Sequence, residues 1–554
     1  MRVSFKLSST ALLATSLLAG ACQSKREAVD LLVTNATVYT VDSTFSKAQA
    51  FAVRDGHFVA VGAAADLQGR YQATRTVDMH GQFIYPGFYD AHCHFYRYAL
   101  GLRSANLVGA ASWPATVSRL VRHRQQQPGA AWLTGRGWDQ NDWPGQRFPT
   151  KDTLDVLFPD VPVLIGRVDG HAALANQKAL DLAGVTARTP ISGGVIGRNA
   201  QGHLTGLLVD NAVHLVAAKI PEPSPAEADA ALLQGQQNCL AVGLTSLADA
   251  GLDREDIERM AALQRAGKLH LRLYTMLNPT PENKAYYLPK GPYFSNNLTI
   301  CSFKIYADGA LGSRGASLLA PYTDRPHERG FLLQKPAYYR AIAQELAGTK
   351  FQMNTHAIGD SANRLLLDIY GAALKGQPDR RWRIEHAQVV SPRDMPKFGQ
   401  YHIVPSVQPT HATSDMYWAG ERLGQRLPDA YAYKALLQQY GQVALGSDFP
   451  VEDINPLYGF HAAVARQDAK NFPAGGFQPT NALTREQTLR GMTTWAAHAA
   501  FEDKRKGQIK PGMLADFVVL DADLLTAPNE KLHDLKVQQT WIAGKQVFSM
   551  SSGQ

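Results

Sequence analysis

A chain of 554 residues with 45% hydrophobic content is too long for one simple domain and has apolar side chains enough for a sizeable core. The formal charge of +8 is mild for that length, and without a dense Lys/Arg run it gives nucleic-acid binding no support. Cys93, Cys239 and Cys301 are scattered and odd in number, which argues against a disulfide framework and for small buried apolar residues.

The first 21 residues read as a signal peptide. Arg2 and Lys6 form a basic start, Ala11 to Leu18 an apolar run, and Ala19-Gly20-Ala21-Cys22 a small-residue cleavage site. The apolar run is too short to span a bilayer. Because a cysteine follows directly, the segment resembles a bacterial lipoprotein signal. That resemblance implies acylation of Cys22 and a lipid anchor in the cell envelope facing the periplasm, with plain secretion as the competing reading. Residues 22–29 then read as a polar tether.

From residue 30 to 88 the pattern is strand-like: Leu31-Leu32-Val33, Thr37 to Val41, Phe51-Ala52-Val53, an Asp55-Gly56 hairpin turn, and Phe58 to Gly62. Similar material returns in 502–554, at Ala515 to Leu520 and Gln539 to Phe548. Both ends are β-rich, so the economical reading is a small β-sandwich assembled from the two termini around a large inserted domain.

That domain, 89–501, alternates short apolar runs with helical patterns, as βα units of a parallel sheet do. Strand candidates are Val161 to Gly166, Leu244 to Ala248, Leu269 to Met276, Ser302 to Tyr306, Gln352 to Thr355, Trp382 to Glu385, Ile403 to Val407 and Val443 to Gly446. A capping box at Thr484 to Gln487 opens a late helix. The expected fold class is α/β, a (β/α)8 TIM barrel. Such barrels need about 250 residues, so the excess implies an insertion, placed at about 105–240.

The stretch Phe83 to Phe95 carries His92-Cys93-His94 just after a Pro86-Gly87 break. In an extended chain residues two apart share a face, so His92 and His94 converge while Cys93 points away. Two neutral imidazoles on a strand make half of a first-row metal site. Alone the pair is weak, since surface strands carry such pairs by chance. Lys304, His356, His386 and Asp448 follow, each a polar side chain at the end of an apolar run, where barrel enzymes collect catalytic groups. Each has an ordinary reading too: Asp448 as a cap, His356 and His386 as satisfied core histidines, Lys304 as a solvated strand-end charge. In this order after His-x-His, chance explains the set poorly.

These motifs resemble the amidohydrolase superfamily, in its amidohydrolase-3 branch of YtcJ-like proteins and N-substituted formamide deformylases. The resemblance spans Pro86 to His94, Gly137-Trp138-Asp139, Asp169 to Asn176, Lys304 to Arg314, His356 to Asp360, Glu385-His386, Gly446-Ser447-Asp448 and Gly507 to Asp516. It implies two divalent metal ions, zinc first, with His92, His94 and Asp448 on one ion and His356 and His386 on the other. Lys304, carbamylated by carbon dioxide, would bridge them. It further implies attack by a hydroxide shared between the ions, with Asp448 as ligand and general base. The implied substrate is a small molecule with an amide, N-formyl or cyclic-amide C–N bond. Trp138, Asp139, His171 and Arg314 would line its pocket, against the competing reading that Trp138 is core and Arg314 pairs with a local acid. A same-fold deaminase or esterase/lactonase is the alternative, with a lipid-anchored non-catalytic binding protein behind it. The sequence leaves homo-oligomerisation open.

Overall fold

The computed structural model describes Met1, Val3, Ser4 and residues 26–550. The apolar run and cleavage site expected of a signal peptide, and Cys22 with them, lie outside the described residues. Among those described, no helix is long and apolar enough to cross a membrane.

Eight parallel strands form the central sheet in chain order: β1 (Phe88–Cys93), β2 (Leu244–Leu252), β3 (Arg272–Leu277), β4 (Leu298–Tyr306), β5 (Gln352–Ala357), β6 (Arg383–His386), β7 (Val404–Val407) and β8 (Ala444–Leu445). A two-residue strand, Tyr293–Phe294, adds antiparallel to β4. Every residue of β2 and β3 is buried, which is why these strands read as continuous apolar runs: helices cover one face and the barrel interior the other. The seam between β8 and β1 is closed just beyond β8, where Asp448 N donates to His92 O at 2.7 Å and His94 N to Phe449 O at 2.8 Å. Gly446 permits this approach, since a Cβ there would lie 2.4 Å from His92 N.

An insertion follows β1 and the short helix Phe95–Gly101. Its six-stranded mixed sheet runs Gly194–Arg198, Leu204–Asp210, Ala172–Ala175, Val163–Arg167, Leu133–Trp138, Ala105–Asn106. The run Val161 to Gly166 is a strand as expected, but it belongs here rather than to the barrel. Its neighbours are Leu133–Trp138, parallel, and Ala172–Ala175, antiparallel. The insertion also ends earlier than 240. Helix Pro225–Ala241, opened by a Ser224/Glu227 capping box, packs on the helix after β1 and leads into β2, so it is a barrel helix.

The termini supply two further sheets. One orders His57–Gly62, Ala50–Arg54, Glu27–Thr34, Tyr71–Asp78; the other Lys545–Ser549, Val537–Ile542, Phe517–Leu520, Phe83–Pro86, Thr37–Tyr39, Lys47–Ala48. The ends of the chain meet where Ile84 pairs with Val519 and Tyr85 with Val518. Phe51, Phe58, Phe517 and Trp541 fill the space between the sheets, with Phe51 and Phe517 ring centroids 4.9 Å apart. Glu27, Ala28 and Val29, expected as tether, are the start of a strand paired to Tyr71, Gln72 and Ala73.

Barrel and sandwich are clamped together by Arg272 of β3 and Asp516. Two parallel bonds join them, Nη2 to Oδ1 at 2.7 Å and Nε to Oδ2, and both side chains are buried. Burial would raise the Asp516 carboxyl, but the Arg272 guanidinium outweighs it and holds the group below its ordinary value. Removing one partner of such a pair leaves a buried charge uncompensated. Asp516→Ala is expected to lower stability by about 3–5 kcal/mol, read as a lower urea midpoint; an unchanged midpoint would mean the pair holds nothing. Since the folded pKa is the depressed one, this contribution is present above the unfolded carboxyl's pKa and disappears as pH falls through the folded value.

Candidate metal centre

Six side chains meet at the C-terminal rim of the barrel. Register places them: Tyr306 pairs with His356, His356 with Glu385, and Ala357 with His386, so β4, β5 and β6 end at one level. His92 and His94 ring centroids are 5.7 Å apart, His92 and His386 5.0 Å, and His356 and His386 4.5 Å. Cys93 points the other way, with its Sγ 3.5 Å from Ala248 O. Lys304 Nζ lies 2.9 Å from His92 Nε2, and Asp448 Oδ1 lies 3.2 Å from His94 Nε2 and 3.5 Å from His92 Nε2.

Each of three histidines has one ring nitrogen engaged from behind. His92 Nδ1 is 2.5 Å from Glu385 Oε2, His94 Nδ1 2.9 Å from Ala250 O, and His386 Nδ1 2.8 Å from Gln408 Oε1. Such partners fix the tautomer and leave Nε2 with its lone pair forward, the usual support of a metal-binding imidazole. Two atoms complete the picture. His356 Nε2 and Asp448 Oδ1 are buried with no hydrogen-bond partner, a costly state for polar atoms unless something binds them. The donor set therefore fits divalent cations. His386 and Asp448 also hold left-handed backbone, φ +72° and +62°, a strain of about 1–3 kcal/mol each that collects at functional sites.

The electrostatics suit the same purpose. Burial pushes the His356 and His386 imidazoles well below their ordinary value, and His94 to about 4, so all three are neutral at pH 7, the form in which an imidazole can bind a cation. Burial also brings the Lys304 ammonium down to about 8. Asp448 is held well below the ordinary carboxyl range, because the His94 contact and the neighbouring histidines outweigh burial. Behind His92, burial opposes ionisation of Glu385, but the Arg383 guanidinium wins and brings it to about 2. Asp90 ties the seam, accepting from Ser447 Oγ at 2.6 Å and His92 N at 3.0 Å.

A cavity of about 920 Å³ opens over this cluster, roofed by the insertion. His171 lines it, its ring 5.0 Å from that of His356 and its Nδ1 2.6 Å from Asp210 Oδ1. Burial alone would lower the His171 pKa, but Asp210 raises it to about 9. The other expected pocket residues lie elsewhere. Trp138 is fully buried in the insertion's core, donating Nε1 to Ile165 O at 2.9 Å. Asp139 accepts from Asn141 N and from Arg167, so it holds Arg167, which does line the cavity. Arg314 pairs with Asp324 at 2.6 Å, off the cavity wall.

One group at the centre was missed by sequence reasoning. His411 sits on helix Pro409–Asp415 after β7, with Nε2 3.7 Å from Asp448 Oδ2 and Nδ1 buried without a partner. With His386 and Asp448 it offers three donor atoms within 4.8 Å of one another, as His92, His94 and Asp448 do. Its signal was a histidine four residues beyond a strand end, outside the strand-end rule that found the others.

A (β/α)8 barrel whose rim gathers histidines, a lysine and an aspartate in this way defines a metal-dependent hydrolase. Residues 75–548 match the amidohydrolase family, and the chain belongs to it. Protein LONG AFTER FAR-RED 3 of Arabidopsis thaliana is 34% identical over 538 residues, 94% of this chain and 91% of that protein. The N-substituted formamide deformylase of Arthrobacter pascens is 28% identical over 555 residues, covering 93% and 97%. A solved metal-dependent hydrolase from Pyrococcus horikoshii superposes with a TM-score of 0.73 at 26% identity, covering 90% of this chain and 99% of that one.

Proposed function

We propose that this enzyme cleaves a non-peptide C–N bond of a small molecule, an amide, N-formyl or cyclic amide, with two divalent ions, zinc the first choice for His and carboxylate donors. His92, His94 and Asp448 would hold one and His356 and His386 the other. The observation that carries the reading is the pair of buried atoms without a hydrogen-bond partner, His356 Nε2 and Asp448 Oδ1, in a cluster that also holds Lys304 Nζ 2.9 Å from His92 Nε2. An ammonium cannot bind a cation, whereas a carbamate on Lys304 is an anionic ligand with two oxygens able to bridge. A likeness to a formamide deformylase supports the C–N class.

When bound, the ions supply Lewis acidity toward the carbonyl and bring the pKa of water down to about 7. The protein's own groups do the rest. Asp448, kept ionised, takes the proton of the attacking water and passes it to the departing nitrogen, so that an acyclic amide leaves as amine and carboxylic acid and a cyclic one as a single ring-opened amino acid. His171, with Nδ1 committed to Asp210, has its other ring N–H to offer the carbonyl oxygen as charge builds there. A ring deaminase working with one ion has no use for a lysine 2.9 Å from a ligand histidine, which favours the amide reading.

Protein stripped by a chelator is expected to lose hydrolysis of N-formyl and N-acyl amides and to regain it on adding zinc. Undiminished turnover by the metal-free protein would contradict the proposal.

A further inference from the structure

The cavity carries more positive charge than the metal chemistry uses. Of its lining carboxylates, Asp169 is paired with Arg167 at 2.6 Å, Asp210 with His171 at 2.6 Å and Glu227 with Arg103 at 2.5 Å, while Asp448 belongs to the metal centre. Only Glu222, exposed at the mouth, is left. Two guanidiniums of the same lining, Arg97 and Arg136, have no carboxylate within ion-pair distance among the described residues. Among the described residues Arg97 has no ion-pair or hydrogen-bond partner. Arg136 bonds only backbone carbonyls, those of Pro450 and of Val168 at 3.0 Å.

Arg97 stands beside a built recess. Gly251, with φ +78°, has no side chain there, and the point a Cβ would occupy lies 3.0 Å from Tyr306 Oη, 3.3 Å from Asn278 Oδ1 and 3.7 Å from Arg97 Nη2. The Tyr306 hydroxyl is buried with no partner. Its ring leads straight back to the reaction centre, 5.7 Å from the His356 ring and 4.9 Å from Lys304 Nζ. Asn278 is turned with its Nδ2 donating to Asp253 at 3.1 Å, so its oxygen faces the recess and can accept from Arg97. An unsatisfied hydroxyl donor and a free planar fork, one phenol ring from the scissile bond, match a carboxylate.

We propose that Arg97 and Tyr306, around Gly251 and with Arg136 also facing the cavity, form a carboxylate subsite, and that the substrate is an amide bearing a carboxylate near the scissile C–N bond, as an N-acylated amino acid does. This rests on the C–N hydrolase reading above. Arg97→Met keeps the aliphatic stem of an exposed side chain and Tyr306→Phe keeps the ring, so both variants test the polar groups alone.

The test compares metal-loaded full-length enzyme on N-formylphenylalanine and on N-formylphenylalaninamide. The wild type is expected to prefer the carboxylate by roughly 10–100-fold in kcat/KM, the worth of a charged hydrogen-bonding pair. That preference should collapse toward unity in Arg97→Met and shrink in Tyr306→Phe. An amide turned over as well as the acid, or a preference that survives Arg97→Met, would overturn the subsite while leaving the hydrolase reading intact. If neither compound reacts, that counts against the hydrolase reading, and thermal shift decides the subsite. N-acetylphenylalanine should raise the wild-type Tm and not that of Arg97→Met; no rise in the wild type overturns it.

Discussion

Lys304→Ala is expected to lose bound metal and to drop kcat/KM by about 10³-fold or more, the scale on which preorganised charge stabilisation is lost. The residue is fully buried, its Nζ 2.9 Å from His92 Nε2, with Asp448 near the same imidazole. A plain ammonium there would repel cations, so the loss on removing it distinguishes a bridging anion from a structural charge. Alanine also leaves a void at the centre of the ligand set. Propionate, able to enter that void and present its carboxylate, should restore part of the activity in Lys304→Ala but not in Lys304→Met, where the side chain fills the space. Metal content and turnover measured side by side check this, and full activity without added carboxylate would rule out the bridging role.

Asp448→Asn is expected to lower kcat by about 10²–10⁴-fold, the range for removing a positioned proton-transfer group. The carboxamide keeps the shape and one oxygen donor but cannot take a proton. The fall should therefore sit mainly in kcat, with KM little changed. Asp448 touches His94 and His92 and is held at the barrel seam through its own backbone N–H, so an isosteric change leaves the backbone closure intact. A normal kcat would take Asp448 out of the proton transfer.

What could be read from the chain followed local geometry. Residues two apart on a strand share a face, so His92 and His94 announced themselves, and four more polar side chains at strand ends, Lys304, His356, His386 and Asp448, gave the rest of the rim. The β-rich termini likewise showed the sandwich. What escaped is set by packing between distant segments. Val163–Arg167 is a strand by any local measure, yet only its partners decide that it sits in the insertion. For Trp138 and Arg314 the sequence leaves two readings open, pocket wall or core indole and locally paired guanidinium, and packing decides for the second: the insertion folds its own core around the indole, and Asp324, ten residues on, takes Arg314. His411 approaches Asp448 only because the chain turns into a helix just past β7. Arg97 stood out in no motif; its meaning appears once Gly251 and Tyr306 are brought beside it by β2 and β4.

The proposed hydrolysis turns on one arrangement of cations at the barrel rim. Elemental analysis of protein purified without chelators, together with anomalous diffraction at the metal edge, reads it directly. Two ions are expected per chain, lying among His92, His94, His356, His386 and Asp448, with density continuing past Lys304 Nζ as a carbamate. Protein that is active with no ion at these residues, or with its metal bound elsewhere, would contradict it.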